Sequence, residues 1–198
     1  MRKLVVISHI SLDGVLQSMG GPSEDPSGGF TLGGWVAGYG DEVLADAVRH
    51  EMELPFDLLL GRTTFEIWAR HWPDHADEWP GVMAATKYVA SRTLTTHEWQ
   101  PVTFLSGDVA EAVRLLAKEP GPDLHVYGSG ELVQTLLSHD LVDELRLKTY
   151  PVTLGSGKQL FSGGAIPAAF TLSDARITSA GVILANYRRD GELVVGEI

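Results

Sequence analysis

Two glycine-containing turns are the residues of this chain whose types and spacing best suit chemistry. They read Gly61-Arg62-Thr63-Thr64 and Gly128-Ser129-Gly130-Glu131-Leu132. Each turn follows a short apolar run and opens a segment with helical periodicity. A strand, a glycine turn and a helix start direct free backbone N–H groups and the positive end of the helix toward one point, which suits a phosphate. Two such turns predict a nucleotide cofactor with more than one phosphate.

The two turns would bind phosphate mainly through their backbone atoms. In the first turn, the N–H groups from Arg62 to Thr64 and a threonine hydroxyl would contact phosphate oxygens. In the second turn, the glycines would let the backbone approach the ligand closely, and we expect the Glu131 side chain to point away from the anion. The alternative for both turns is an ordinary helix start, with Thr63, Thr64 or Ser129 as the helix cap.

The elements that must position these turns follow from the apolar periodicity. Strands are predicted over residues 4–10, 57–60, 87–90, 102–105, 124–127, 144–150, 169–178 and 182–189. Helices are predicted over residues 41–53, 63–69 and 109–116, and over a segment whose apolar stripe runs from 132 to 137. Residues 11–40 are rich in glycine and form a long predicted loop, a length that is typical of functional loops.

The order of these elements indicates the fold class. The succession β-α-β-α-β-β-α-β-α-β-β-β predicts a single α/β domain over residues 1–198, because no linker, repeat or low-complexity tract divides the chain. Alternation in the first two thirds predicts a mixed, mainly parallel sheet, and the last strands predict an antiparallel C-terminal edge. Right-handed crossovers would place helices on both faces, which gives three α/β/α layers.

Composition excludes several function classes. The formal net charge of −11 argues against a nucleic-acid partner, which needs clustered lysines and arginines. The chain has no cysteine, which excludes disulfides, thiolate catalysis and Cys-zinc sites, and the scattered histidines predict no metal site. The apolar run at the N-terminus is too short for a signal peptide, and no run is long enough to span a membrane. We therefore expect a cytoplasmic protein.

Several motifs resemble, in order, those of the dihydrofolate-reductase-like superfamily. The closer similarity is to its branch that contains the RibD C-terminal domain, the reductase of riboflavin biosynthesis. The motifs that carry the resemblance are Ser8-His9-Ile10-Ser11-Leu12-Asp13-Gly14, Leu60-Gly61-Arg62-Thr63-Thr64-Phe65-Glu66, Ser91-Arg92, Val126-Tyr127-Gly128-Ser129-Gly130, Leu141-Val142-Asp143-Glu144-Leu145, Tyr150-Pro151-Val152-Thr153-Leu154-Gly155-Ser156-Gly157 and Leu160-Phe161. The resemblance covers nearly the whole chain.

The resemblance implies a reductase that uses NADPH and forms a homodimer. The cofactor pyrophosphate would lie between the Gly61 and Gly128 turns. Ser91 and Arg92 would join the cofactor site, because the planar guanidinium group pairs well with a 2′-phosphate, which Arg62 would also balance. The alternative for Arg92 is a solvated loop arginine.

The resemblance also implies a substrate site beneath the loop of residues 11–40. Reduction of a C=N bond needs a proton besides the hydride, and Asp41 and Asp13 are the predicted acids. Their alternative roles are a helix N-cap for Asp41 and a turn residue for Asp13. Ser8, Asp13 and Trp35 are the predicted substrate contacts, with Trp35 either stacked on a planar ring or part of the core.

The implied activity is hydride transfer to a small planar heterocycle, a pterin or a ribosylaminopyrimidine. The nearest specific activity is that of a 5-amino-6-(5-phosphoribosylamino)uracil reductase. The alternatives are a true dihydrofolate reductase, a promiscuous carbonyl or nitro reductase, and a dimeric NADP-binding sensor without turnover. Inhibition by antifolates would indicate a true dihydrofolate reductase. Tight cofactor binding without NADPH oxidation would indicate a sensor.

Overall fold

The structure is a computed structural model that describes residues 1–53, 55–162 and 166–197. Its strands are β1 (Leu4–Ser11), β2 (Phe56–Gly61), β3 (Lys87–Ala90), β4 (Val102–Leu105), β5 (Asp123–Tyr127), β6 (Glu144–Tyr150), β7 (Phe170–Ile177) and β8 (Ile183–Arg189). Its helices are α1 (Glu42–Glu53), α2 (Arg62–His71), α3 (Pro80–Ala84), α4 (Val109–Lys118) and α5 (Gly130–Ser138). Every predicted strand and helix is present, so the periodicity located the elements correctly.

Three short elements were not predicted. They are helix α3 and two 3₁₀ turns at Ser27–Gly29 and Trp72–His75. Each spans five residues or fewer, which is too short for an apolar stripe to repeat. Helix α2 ends at His71, before Pro73, and the turn at Trp72–His75 follows it directly, because proline is tolerated in the first turn of a new helical segment.

The strands form one eight-stranded sheet in the order β4-β3-β2-β5-β1-β6-β8-β7. The six strands from β4 to β6 run parallel to one another. Strand β8 pairs antiparallel with β6, and β7 pairs antiparallel with β8 at the edge. The mainly parallel sheet with an antiparallel C-terminal edge is therefore confirmed.

Helices cover both faces of the sheet, as strand β2 shows. Leu59 packs into a core cluster with residues of α4 and α5, whereas its neighbours Leu58 and Leu60 pack into a second cluster with residues of α2 and α3. Successive side chains of a strand point to opposite faces, so these two clusters lie on opposite sides of the sheet. The three-layer arrangement is confirmed. Helix α1 forms a third cluster over β6 and β8.

A buried ion pair joins helix α1 to the sheet. The Nζ atom of Lys148 on β6 lies 2.6 Å from Oε1 and 2.5 Å from Oε2 of Glu51, and both side chains are almost fully buried. A charged group removed from water needs a partner of this kind. The pair lies near the carboxyl end of β1, because Lys148 is in register with His9.

The loop of residues 11–40 is packed by its own polar side chains. The buried Gln17 amide donates to the carbonyl oxygens of Asp25 and Ser27 at 2.9 Å, and its Oε1 accepts from the Lys158 N–H at 3.0 Å. Gly157 must lack a side chain, because its φ is +118° and a Cβ atom would lie 2.7 Å from Val15. The predicted loop is thus a fixed wall built against residues 154–160.

No helix among the described residues combines the length and the apolar character that crossing a membrane requires.

Candidate active site

A cleft of about 670 Å³ opens at the carboxyl ends of the parallel strands. Its floor consists of the ends of β1, β2, β3 and β5, and the first turns of α2 and α5 form one side. Residues 16–19, 24 and 25 of the long loop form the facing wall. Ligands of open α/β sheets bind at this position, because the connections leave a crevice there.

The two predicted phosphate turns contact each other inside this cleft. The Gly61 N–H donates to Ser129 Oγ at 2.9 Å, and the Ser129 N–H donates to Thr64 Oγ1 at 3.1 Å. The hydroxyl groups of Ser129 and Thr64 therefore hold the opposite turn instead of capping their own helices. Neither turn therefore has the side-chain cap that the alternative interpretation expected.

The first turns of α2 and α5 have no side-chain cap. By contrast, Asp41 accepts from the Leu44 N–H at the start of α1, and Asp108 accepts from the Glu111 N–H at the start of α4. The first N–H groups of any helix lack partners within the helix, and their positive potential attracts anions. Among the helices of nine residues or more, the uncapped starts are therefore those of α2 and α5, which face the cleft, where a phosphate could supply the missing acceptor.

The glycines of the two turns have different roles. Gly128 has a φ of +52°, in the left-handed region, and a Cβ atom there would lie 3.4 Å from Thr64 Oγ1. Gly61 is extended, with φ −74° and ψ 156°, and its Cβ atom would meet nothing closer than Ser129 at 3.5 Å. The backbone therefore requires glycine at position 128 and leaves position 61 open to a small side chain.

Two arginines line the same side of the cleft. Arg62 donates to Thr93 Oγ1 at 3.0 Å and lies 3.8 Å from Glu66, so the loop after β3 holds it in place. Arg92 forms no hydrogen bond or ion pair with any described residue. The buried Ser91 hydroxyl accepts from the N–H groups of Thr93 and Leu94, so Ser91 shapes the loop that carries Arg92. The structure thus brings the predicted cofactor residues together.

Asp13 lies outside the wall that the described residues form around the cleft, contrary to the prediction of an acid and a substrate contact. Its carboxylate accepts from Ser11 Oγ at 2.5 Å and from the Gly155 and Leu154 N–H groups at 2.7 and 3.1 Å. These hydrogen bonds, that of Ser11 first, lower the pKa of Asp13 to about 2. A carboxylate held ionised in this way joins the loop to residues 154–155 and is not a proton donor.

Asp41 also lies away from the cleft lining that the structure describes. One oxygen caps α1 through the Leu44 N–H, and the other accepts from the N–H and hydroxyl of Ser179 between β7 and β8. The hydrogen bond from Leu44 is the main reason that the pKa of Asp41 is lowered. The predicted acid is therefore a helix cap that ties α1 to the C-terminal hairpin, which was its alternative role.

Of the other two predicted substrate contacts, the structure places only Ser8 in the cleft. Ser8 lies at the floor and is almost fully buried. Trp35 donates its Nε1–H to the Gln17 carbonyl at 2.9 Å and packs its ring against Tyr150 at 5.3 Å between centroids. Trp35 is thus the core anchor of the long loop, which was the alternative to stacking on a ligand.

The sequence interpretation did not single out His9 and Tyr127 as members of the floor. Both side chains line the cleft from neighbouring strands, and Trp68 of α2 lines it beside them. The His9 ring forms a 2.7 Å hydrogen bond with the Tyr150 hydroxyl. The sequence contained a pattern that could have identified His9. It is a polar residue next to Ser8 at the end of an otherwise apolar strand.

The match to a known family covers nearly the whole chain. Residues 2–184 match the RibD C-terminal domain. The chain belongs to this family. The resemblance inferred from the motifs is therefore confirmed.

Relatives and solved structures agree with this membership. The uncharacterized protein YyaP of Bacillus subtilis is 30% identical over 200 residues, which cover 96% of each chain. The uncharacterized protein YwjB of the same organism is 27% identical and covers 81% of this chain and 83% of its own. A crystal structure of a Shewanella sp. PV-4 protein named for riboflavin biosynthesis superposes with a TM-score of 0.74 at 22% identity, over 95% of this chain and 99% of that one.

A second solved structure belongs to a pyrimidine reductase-like protein of Corynebacterium diphtheriae. It superposes with a TM-score of 0.60 at 13% identity, over 96% of this chain and 93% of that one. The two superpositions and the eight-stranded sheet establish the dihydrofolate-reductase-like fold of this RibD C-terminal domain.

Proposed function

We propose that this RibD C-terminal domain protein is an NADPH-dependent reductase that transfers hydride to a small planar heterocycle. The observation that carries the proposal is the meeting of two uncapped helix starts, joined by the Gly61–Ser129 and Ser129–Thr64 hydrogen bonds. Family membership supports a reductase-like activity, and a structural neighbour is named as pyrimidine reductase-like.

The cofactor site is built from backbone N–H groups and two arginines. The first turns of α2 and α5 would hold the pyrophosphate, as helix N-termini hold phosphates in other nucleotide-binding proteins. Arg62 and Arg92 would pair with the 2′-phosphate, because both line the cleft beside the first turn. Local positive charge of this kind is compatible with a chain whose formal net charge is −11.

The remaining part of the cleft would receive the substrate. Its wall is the long loop with Leu16 and Met19, and its floor carries Ser8, His9 and Tyr127. A cleft of about 670 Å³ suits a small molecule beside the nicotinamide end of a cofactor. The bound cofactor would supply the hydride, and the chain would hold the two rings in register.

The substrate class that we propose is a pterin or a ribosylaminopyrimidine, of which 5-amino-6-(5-phosphoribosylamino)uracil is the nearest specific example. The structural neighbour named for riboflavin biosynthesis supports the second class. A true dihydrofolate reductase and a dimeric NADP-binding sensor remain the competing proposals. Antifolate inhibition of turnover would favour the first of these, and cofactor binding without any NADPH oxidation would favour the second.

A fluorescence titration with NADPH and, separately, NADH tests the cofactor. The five tryptophans and the nicotinamide provide the signals, and we expect micromolar binding with a clear preference for NADPH. Gly61→Asp should weaken binding at least tenfold, because it places a carboxylate at the start of α2 against the phosphate. Gly38→Asp is the matched control, since a side chain at Gly38 meets nothing within 4 Å and lies in the loop beyond the cleft lining. Absence of binding to either dinucleotide would overturn the proposal.

A further inference from the structure

His9 places an imidazole ring at the floor of the cleft, where a ligand can contact it. The residue lies near the carboxyl end of β1 and lines the cleft. Its Nδ1 atom is 2.7 Å from the Tyr150 hydroxyl, whereas Nε2 forms no hydrogen bond with any described residue. The imidazole is therefore anchored through one nitrogen, and the other nitrogen is available to a ligand.

Tyr150 fixes both the orientation and the tautomer of this imidazole. The Tyr150 ring is fully buried, with the edges of Trp35 and Tyr39 packed against it at centroid distances of 5.3 and 5.7 Å. Its hydroxyl has no other partner within the described part of the chain, and we infer that it donates to His9 Nδ1, because its proton would otherwise lack an acceptor. A neutral imidazole with Nδ1 as acceptor carries its own proton on Nε2.

The surroundings keep the His9 ring uncharged. The pKa of His9 is lowered to about 3. Burial of the ring is the main cause of this shift, and the positive charge of Lys148 is the second cause. Glu51, the other charged group at this position, is occupied by its ion pair with Lys148. At neutral pH, His9 is thus a neutral N–H donor, and a neutral imidazole can polarise a carbonyl group without being an acid.

The cleft offers no comparable carboxylate at this end. Asp25 pairs with Lys158 at 2.7 Å, and Glu24 accepts from the Gly20 N–H at 2.7 Å, so both belong to the loop wall. Glu131 is exposed at the start of α5. A cationic ring, which needs a carboxylate partner, would find none at the floor formed by the described residues.

We propose that His9 donates its Nε2–H to an uncharged acceptor on the substrate ring, a carbonyl oxygen or an imine nitrogen, and thereby selects oxo-bearing rings over cationic amidine-bearing ones. This inference rests on the proposed reductase function. Tyr150 is the positioning residue that acts through His9.

The reaction step balances without a proton from the protein. A nicotinamide cofactor held by the turns of α2 and α5 would supply the hydride to the carbon of the C=N or C=O bond and would itself be oxidised. The π electrons move to the heteroatom, where the Nε2–H hydrogen bond stabilises the developing negative charge. Water then supplies the proton to the heteroatom, and His9 keeps its own. No acid is required, which agrees with the placement of Asp13 and Asp41 outside the described cleft lining.

Turnover of 5-amino-6-(5-phosphoribosylamino)uracil by His9 variants tests the contact. His9→Leu should lower kcat/KM about 100-fold, the usual loss for one donor to a developing charge, with unchanged NADPH affinity. His9→Gln retains an N–H donor and should stay within about tenfold of wild type. Tyr150→Phe should give an intermediate loss, while the matched control Tyr39→Phe, which packs on the same ring, should behave as wild type. Wild-type turnover by His9→Leu would overturn the proposal.

Nitrogen-15 NMR of histidine-labelled protein decides the inference even if this pyrimidine is not turned over. We expect a His9 signal with a protonated Nε2 and an unprotonated Nδ1 that does not titrate between pH 8 and 5, and Tyr150→Phe should disturb this tautomer. A protonated Nδ1, or a doubly protonated ring at pH 6, would overturn the inference and leave the cofactor proposal intact. If the wild-type protein does not bind NADPH, the proposed function itself is refuted.

Discussion

The Oγ atom of Ser129 accepts a hydrogen bond from the Gly61 N–H at 2.9 Å, across 68 positions of sequence. The same serine donates its own N–H to Thr64 Oγ1. These two bonds join the start of α2 to the start of α5, so the two helix ends keep a fixed distance from each other. A ligand with two linked phosphates would find both ends already in place, which reduces the ordering cost of binding.

Ser129→Ala should therefore weaken NADPH binding about fivefold. The variant removes the acceptor of the Gly61 N–H, and a lost hydrogen bond of this kind costs about 1 kcal/mol. The fluorescence titration measures the change. Ser138→Ala is the control, because its hydroxyl bonds to the Thr135 carbonyl at the far end of the same helix. Equal affinities for both variants would show that the bond between the turns does not matter.

Alanine should act differently at the two glycines of these turns. Gly128→Ala forces a side chain into the left-handed region at φ +52°, so we expect a loss of about 1 kcal/mol or more in the free energy of unfolding. Gly61→Ala places its Cβ atom at ordinary contact distance from Ser129, at 3.5 Å, and should change stability by less than about 0.5 kcal/mol. Urea unfolding of both variants gives the comparison, and the reverse ranking would contradict the backbone argument.

Arg92→Ala should reduce the preference for NADPH over NADH at least tenfold. Its guanidinium group lines the cleft without a partner among the described residues and is thus free to bind a phosphate. NADH affinity should change little, because NADH lacks the 2′-phosphate. Arg114→Ala is the control, since Arg114 lies on α4 and pairs with Glu111 there. An equal loss of affinity for both dinucleotides would show that Arg92 acts on a shared part of the cofactor.

The buried His125 should make the protein sensitive to acid. Its ring stacks on Phe56 at 5.1 Å between centroids, and its Nδ1 has no hydrogen-bond partner in the structure. Burial, with a smaller contribution from Arg146, lowers the pKa of His125 to about 4. Between pH 6.5 and 4 the unfolded chain binds a proton that the folded chain does not, so stability falls as the pH falls through this range.

His125→Phe should remove this contribution. The loss of stability between pH 6.5 and 4 should shrink by roughly 3 kcal/mol, because one pKa unit corresponds to about 1.4 kcal/mol. Urea unfolding at several pH values measures the difference. His139→Phe is the control, since His139 is exposed at the end of α5. Parallel stability curves for wild type and His125→Phe would contradict the argument.

The homodimer that the resemblance implies remains a proposal, and the edge of the sheet suggests where to test it. Strand β7 is one of the two edge strands, and Ile177 and Leu172 on it are 71% and 53% exposed. Light scattering should give about twice the chain mass of 21.4 kDa, and Ile177→Asp should lower it. Leu115→Asp, on the exposed face of α4, is the control. A monomeric mass for the wild-type protein would refute the dimer.

The sequence predicted the elements well, because their stabilising contacts are periodic and local. The stripe of Val109, Val113 and Leu116 predicted α4, and the buried run at Leu58–Leu60 predicted β2. The positions of the two glycine turns were also predicted, since a glycine between a strand and a helix is a local pattern, whereas their binding of phosphate stays a prediction.

The roles of single polar side chains could not be predicted in this way. Asp13 bonds to Leu154 and Gly155, and Asp41 bonds to Ser179, each more than 130 positions away. The same residue types at the same positions fit both an acid and a structural role until the partner is known. The contact between His9 and Tyr150 likewise depends on the register of β1 with β6, which pairs Ser11 with Tyr150.

The wall of the cleft is held by contacts to backbone atoms. Asp13 binds the N–H groups of residues 154 and 155, and Gln17 binds the N–H of Lys158 and the carbonyl of Asp25. Backbone groups are the same for every residue type, so evolution can rewrite much of the segment between these anchors while the attachment persists. The cofactor turns of α2 and α5 lie on other elements and would be untouched. Under the proposed function, exchange of this one surface segment would change the substrate that is reduced, which makes the segment the natural target for transplanting new specificity into the scaffold.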